Sequence, residues 1–260
     1  MRNSLRSLQG SVRLLHLAVV DSTNAEAMRR AAAGAESGLW VVADEQTQGR
    51  GRSGRSWQSP AGNLHASLLL ELGCAPRTAQ QLSLVAGVAA IEALTGLAGA
   101  SIGARRLRLK WPNDILLDGA KLGGILIEST RLALRQIGVV GIGINLSSAP
   151  TGLGRASAHL GMLGPALAPD AVLGALAVAM RDWLAAWREG EGFEAVRQAW
   201  LERAGPPGEP IAVNAGTGLI SGTFLGLDET GALLLRDAEG SELRFTFGDV
   251  SLIGEERWNG

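Results

Sequence analysis

From residue 46 to residue 60 the chain reads Gln-Thr-Gln-Gly-Arg-Gly-Arg-Ser-Gly-Arg-Ser-Trp-Gln-Ser-Pro, a run that neither a helix nor a sheet interior can absorb. Arg50, Arg52 and Arg55 place three like charges within six positions, and Gly49, Gly51 and Gly54 remove side chains between them. Glycine lets backbone approach a ligand closely, and each guanidinium offers a planar donor fork. Such a segment is a loop that is mobile alone and orders when phosphate or carboxylate arrives. A solvated basic loop or a weak nucleic-acid patch is the alternative on these residues alone. Its flanks, Leu39–Ala43 and 63–72, read as strands, the second alternating Leu64, Ala66, Leu68 and Leu70 against His65, Ser67 and Leu69.

The remaining elements follow from patterning. Residues 12–20 are β-prone and end at Asp21-Ser22-Thr23-Asn24, where Thr23 with Glu26 forms a capping-box pattern for a short helix over residues 25–33. That helix start also points hydroxyls, an amide and backbone N–H groups beyond the strand end. Residues 78–98 have helical spacing with small residues on one face. Residues 106–111 alternate as a strand, Pro112-Asn113-Asp114 turns the chain, and Asp118-Gly119 closes a hairpin that brings Lys121 back. Two further strands follow, 121–128 opening with Gly123-Gly124, and 136–146 carrying Gly141-Ile-Gly-Ile-Asn145. Helices are predicted over 170–188 and 193–203, then a Gly/Pro linker and short strands forming a small all-β domain. The chain divides into a polar tail at 1–11, a catalytic domain at 12–205 and a C-terminal domain at 206–260.

Composition narrows the function. Lys plus Arg number 24 against 25 Asp plus Glu, so no whole-molecule field draws the chain to nucleic acid or an acidic membrane. One cysteine, Cys74, excludes an internal disulfide and points to the cytoplasm. Apolar runs such as 84–97 are interrupted by Glu92 and Gly96 and read as core helices rather than membrane spans. The three histidines are scattered, which argues against a zinc site. Gly99-Ala-Ser101-Ile-Gly103 matches a hydrolase elbow, but it follows a helix instead of a strand. Gly141-x-Gly143 lacks the third glycine of a dinucleotide fingerprint.

What remains is a constellation of the Arg/Gly loop, Lys121 beside paired glycines, Asp114 on a turn and the Ser22–Asn24 helix start. Arginines plus a lysine suit a polyphosphate and developing negative charge, and a carboxylate can hold Mg²⁺ or steer an amine. Nucleotide activation of a carboxylic acid uses all of these.

Residues 49–57, Lys110-Trp-Pro-Asn-Asp114, residues 121–128 and Gly141-Ile-Gly-Ile-Asn145, in this order, closely resemble the motif set of biotin protein ligases, and Asp21-Ser-Thr-Asn24 fits as well. The resemblance covers about residue 12 to the C-terminus. It implies an α+β fold, with a helix-flanked mixed sheet of the class II synthetase and biotin/lipoate ligase type, followed by a small SH3-like barrel. It also implies that biotin and ATP, with Mg²⁺, yield biotinyl-5′-AMP, which acylates one lysine of a biotin carboxyl carrier domain. The metal ligands are left unassigned. Lipoate or octanoate ligation is the alternative within the fold class.

The resemblance assigns residues as follows. Ser22, Thr23, Asn24 and Gln46 surround the biotin rings, and Gly49, Arg50, Gly51 and Arg52 contact biotin. Arg52 and Arg55 belong to the loop that closes over biotin and phosphates, and Trp57 packs near the adenine. Asn113 and Asn145 lie on the nucleotide side. Lys121 holds the biotin carboxyl and α-phosphate, Gly124, Gly141 and Gly143 form the biotin floor, and Asp114 orients the acceptor lysine. Lys121, Asp114 and Arg50 are the catalytic candidates. Ser53 departs from relatives that carry another arginine there, which is expected to weaken loop closure or adenylate retention. About a dozen residues precede the first strand, too few for a helix-turn-helix domain, so DNA binding is not expected, and the interrupted apolar runs leave no membrane partner expected. A homodimer is left open.

Overall fold

The computed structural model describes residues 4–8, 12–99, 106–152, 156–164, 167–216 and 218–253. Ser101 of the elbow-like match lies outside the described residues.

An eight-stranded sheet organises the larger unit. Its strands are β1 (Ser4–Leu8), β2 (Val12–Val20), β3 (Leu39–Gln46), β4 (Leu64–Leu72), β5 (Leu107–Lys110), β6 (Asp114–Leu117), β7 (Ala120–Leu132) and β8 (Arg135–Ile144), in the order β1-β2-β3-β4-β8-β7-β6-β5. β2 and β3 are parallel, joined through helix α1 (Thr23–Ala32), and the other neighbours are antiparallel. The mixed sheet is as expected. The stretch read as a polar tail contributes β1, which pairs Leu5 with Leu15 and Leu8 with Val12.

Period-two alternation sends neighbouring side chains to opposite faces. Leu15, Val41, Leu69, Ile137 and Val139 meet Ala27 and Ala31 of α1 in one apolar cluster, while Leu14, Trp40, Val42, Leu68 and Val140 face the main core. On the main-core side lie α2 (Pro76–Ala79), α3 (Leu82–Ala98), α4 (Pro169–Trp187) and α5 (Phe193–Arg203). The helix expected to run unbroken over 78–98 is thus divided at Gln80 and Gln81, where Leu84 N and Val85 N both bond Gln81 O. By length and composition the span Pro76–Ala98 could cross a membrane, yet 61% of its most apolar window is buried inside the fold. It is a core element, as its packing against α4 and α5 requires.

The predicted hairpin is present. Asp118 (φ 49°) and Gly119 (φ 84°) both take positive φ between β6 and β7, the geometry of a tight two-residue turn. The α1 cap sits one residue earlier than the capping-box spacing implies. Ser22 is the N-cap, accepting from Ala25 N, because Glu26 is drawn away to Arg29 and Arg30.

Five more strands form an antiparallel C-terminal sheet: β9 (Pro210–Asn214), β10 (Leu219–Leu227), β11 (Leu233–Arg236), β12 (Glu242–Phe245) and β13 (Asp249–Leu252), in the order β12-β11-β10-β9-β13. Ile211, Val213, Phe224, Leu235 and Val250 belong to the same apolar core as the helices of the larger unit. The small sheet is therefore fastened to the large one by buried apolar contact.

Candidate active site

The face of the sheet that carries α1 is filled by aliphatic side chains at one end and hollowed by glycines at the other. Leu69, Ile137 and Val139 lie under α1. Farther along, Gly143 pairs with both His65 and Gly124, and Gly141 pairs with Ser67 and Leu126. A Cβ at Gly141 would strike Asn24, one at Gly143 would stand 2.6 Å from Trp57 Cε2, and one at Gly124 3.4 Å from both Lys121 Nζ and Trp57 Cζ3. The missing side chains let Asn24, Trp57 and Lys121 close on the sheet, and the three glycines line a cavity of about 250 Å³.

One wall is the α1 N-terminus, where Ser22, Thr23 and Asn24 are buried. Gln46, the last residue of β3, accepts from Thr23 N at 2.7 Å and from Thr23 Oγ1 at 3.0 Å, and its Nε2 donates to Ser59 Oγ at 2.8 Å. Asn24 donates to Glu128 Oε2 at 2.7 Å and to Leu126 O at 3.3 Å. Ser67 Oγ stands 2.6 Å from Asn24 Oδ1 and 2.7 Å from Thr23 Oγ1, and its single proton serves one of them at a time. This network fixes which way both amides point. Behind it, Asp21 is held at a pKa of about 2 chiefly by the Arg29 guanidinium, which donates to both of its oxygens.

The opposite wall carries the charge. Lys121 ion-pairs with Asp114, Lys110 reaches the same carboxylate at 3.3 Å, and all three side chains are at most 16% exposed. Lys121 Nζ lies 5.7 Å from the centroid of the Trp57 ring. Asn113 donates to Ile125 O at 2.6 Å and so anchors the turn to β7. Among the described residues, Trp57 Nε1 is buried with no hydrogen-bond partner.

At the mouth stands the Arg/Gly loop, folded into a short turn over Arg52–Gly54. Arg50 donates to Glu128 at 3.2 Å. Arg52 donates to Gly248 O at 3.2 Å and to Asn113 Oδ1 at 3.4 Å, and Arg55 donates to both oxygens of Asp249 at 2.8 Å. Burial pushes the Arg52 pKa down, while Asp249 pulls it back up.

Of the residues singled out from the sequence, Ser22, Thr23, Asn24, Gln46, Arg50, Gly51, Arg52, Arg55, Trp57, Asn113, Asp114, Lys121, Gly124, Gly141 and Gly143 line this one cavity. Gly49 and Asn145 stand behind it. Gly49 lies against the Trp57 carbonyl, and Asn145 donates to Ala158 O at 3.0 Å, supporting the segment that runs beside Lys121. Sequence reasoning missed Lys110, Glu128, His65 and Asp249. The first two lie inside motifs already recognised, and Lys110 stands four places before Asp114; Asp249 has no local signal.

Comparison with known proteins agrees with this geometry. Residues 17–145 match the Biotin/lipoate A/B protein ligase family, and residues 208–253 match the Biotin protein ligase C terminal domain. A Biotin--[acetyl-CoA-carboxylase] ligase of Paracoccus denitrificans is 44% identical over 234 residues, spanning 87% of this chain and 95% of that protein. The Bifunctional ligase/repressor BirA of Escherichia coli is 34% identical across 95% of this chain and 76% of its own length. Among solved structures, the biotin protein ligase from Aquifex aeolicus in complex with biotin and ATP superposes with a TM-score of 0.76 at 30% identity, covering 92% of this chain and 97% of that one. The Leishmania major enzyme in complex with biotinyl-5-AMP gives 0.63 at 26% identity, covering 90% and 98%. The chain belongs to the biotin protein ligase family.

Proposed function

We propose that this protein activates biotin with ATP to form biotinyl-5′-AMP and then transfers the biotinyl group to one lysine of the biotin carrier domain of an acetyl-CoA carboxylase. The observation that carries this reading is the glycine-floored cavity, with Lys121 and Asp114 on one wall, amide and hydroxyl groups on the other, and the guanidinium groups of Arg50, Arg52 and Arg55 at its mouth. Its support from relatives is the naming of the Paracoccus denitrificans and Aquifex aeolicus proteins.

In the first step the biotin carboxylate oxygen attacks the α-phosphorus of ATP, the bond to the β-phosphate oxygen breaks, and pyrophosphate leaves. Lys121 faces the meeting point of carboxylate and phosphate, and Arg52 and Arg55 meet the polyphosphate, so fixed positive charge stands where negative charge accumulates. The ring-binding end is the Thr23–Gln46–Asn24 network, with Arg50 and Gly51 beside it. Asn113 is assigned to the nucleotide side, Asn145 behind the cavity to bracing the segment beside Lys121, and Trp57 to a packing role over the floor. In the second step a neutral lysine amine of the carrier attacks the acyl carbon and AMP leaves, with Asp114 orienting that amine.

Among the described residues no group of three or more His, Cys, Asp or Glu is arranged for a metal ion. Mg²⁺ enters with the nucleotide, held by its phosphate oxygens, and its protein ligands are left unassigned. Near-neutral net charge supports a reading without DNA, and the half-buried free thiol of Cys74 suits the cytoplasm.

Incubation with biotin, MgATP and a carrier domain tests the reading. One biotinyl mass increment on one carrier lysine is expected, and none on a carrier with that lysine replaced by arginine. An unmodified carrier would contradict it.

A further inference from the structure

The turn that carries Arg52 and Arg55 has little to hold it. Ser53 and Gly54 take positive φ (54° and 73°), residues 53–56 are exposed, and two backbone bonds, Gly51 N to Arg55 O at 2.7 Å and Arg55 N to Arg52 O at 3.2 Å, close it on itself. Its guanidinium groups tie it to the body of the protein: both reach the start of β13 in the C-terminal sheet, and Arg52 Nη1 also reaches Asn113 Oδ1 at 3.4 Å. Arg55 Nη2 donates to Asp249 Oδ1 and Oδ2 at 2.8 Å, while Arg52 Nη1 reaches Gly248 O at 3.2 Å and Asp249 Oδ1 at 3.5 Å. Asp249, Val250 and Ser251 themselves line the cavity.

Each arginine is held by one terminal nitrogen. Nη2 of Arg52 and Nη1 of Arg55 make no hydrogen bond among the described residues, so donors remain to meet an anion while the side chain stays anchored. Asp249 is itself fixed, because β13 pairs with β9 at Asp249↔Asn214 and Val250 beside it is buried in the common core.

We propose that Asp249 is a positioning residue for adenylate formation. Its carboxylate holds Arg55, and with it Arg52, at the cavity mouth. The inference rests on the functional reading above. Ordering two flexible side chains before the nucleotide arrives removes part of the entropy cost of binding its phosphates.

The test uses the full chain with Asp249→Asn, Asp249→Glu, Arg55→Gln and the Asp249→Asn/Arg55→Gln pair. Because the ion pair is half exposed, Asp249→Asn is expected to raise the KM for ATP by about two- to five-fold. The KM for biotin, kcat and Tm should stay near wild type, and Asp249→Glu should restore most of the loss. In the Arg55→Gln background Asp249→Asn should cost less than it does alone, because only the longer Arg52 contact at 3.5 Å is left to lose. An unchanged or lowered KM for ATP, or fully additive effects, would overturn the proposal while leaving the ligase reading intact. A wild-type chain that makes no adenylate sinks the ligase reading instead. Trypsin cleavage after Arg50, Arg52 and Arg55 then decides the anchoring: faster cleavage in Asp249→Asn supports it, and equal cleavage overturns it.

Discussion

The indole of Trp57 lies flat against Gly143, so close that a Cβ at position 143 would stand 2.6 Å from Cε2, 2.7 Å from Cζ2 and 2.7 Å from Nε1. An indole cannot yield as the tip of a flexible chain can. Gly143→Ala is therefore expected to displace Trp57, at an overpacking cost of about 1–3 kcal/mol in stability, and to weaken biotin binding through the reshaped floor. Isothermal titration with biotin checks this, and unchanged affinity would separate Gly143 from the biotin site.

Lys121 is the cation set deepest against the floor, with a side chain 12% exposed. A charge-assisted bond contributes about 1.5–3 kcal/mol, and Lys121 is assigned one to the biotin carboxylate and one to the α-phosphate. Lys121→Ala should accordingly lower kcat/KM for adenylate formation by at least about 100-fold. Pyrophosphate release measures it, and a near-normal rate would remove Lys121 from the reaction centre.

Asp114 takes both Lys121 and Lys110, so its removal takes one ion-pair partner from each of two largely buried ammonium groups. Asp114→Asn keeps the shape and one acceptor oxygen, and a stability loss of up to about 3 kcal/mol is expected from the broken pairs. Adenylate should still form at a temperature where the variant is folded, while transfer to the carrier falls by about 10- to 100-fold through misorientation of the acceptor amine. Equal effects on both half-reactions would contradict the assignment.

His65 supplies a pH signature. It is 1% exposed on β4 opposite Gly143, and burial pushes its pKa below 6.5, the hydrogen bond to Pro60 O opposing this weakly. A folded-state pKa below the unfolded value means that the unfolded chain binds the proton more readily. The stability from a neutral His65 is thus fully present above about pH 6.5 and is lost as pH falls through the folded pKa. Urea midpoints should drop between pH 7.5 and 5.5, and less so in His65→Gln. The same slope in both proteins would assign the effect elsewhere.

The local devices of the fold were legible because each is written in a few adjacent residues. Asp118-Gly119 specifies a two-residue turn and the structure puts both at positive φ, while the alternation around Leu64–Leu70 is the division between two cores. The motif residues that converge on one cavity were legible by resemblance, and the glycine rows on β7 and β8 explain physically why they converge. The cap was misplaced by one residue because Glu26 had competing arginine partners on its own helix. Asp249 was invisible for a different reason. Its partner Arg55 lies 194 positions away, on a loop whose sequence says only that it wants an anion, and a carboxylate on a short strand meets that description without any motif.

Formation of the acyl-adenylate tests the central claim most directly. The full chain with MgATP and biotin, lipoate or octanoate in parallel is read by mass spectrometry for each acyl-AMP. Biotinyl-5′-AMP formed with biotin, and no adenylate with the other two acids, is the predicted result. Adenylate from lipoate or octanoate and none from biotin would contradict the account.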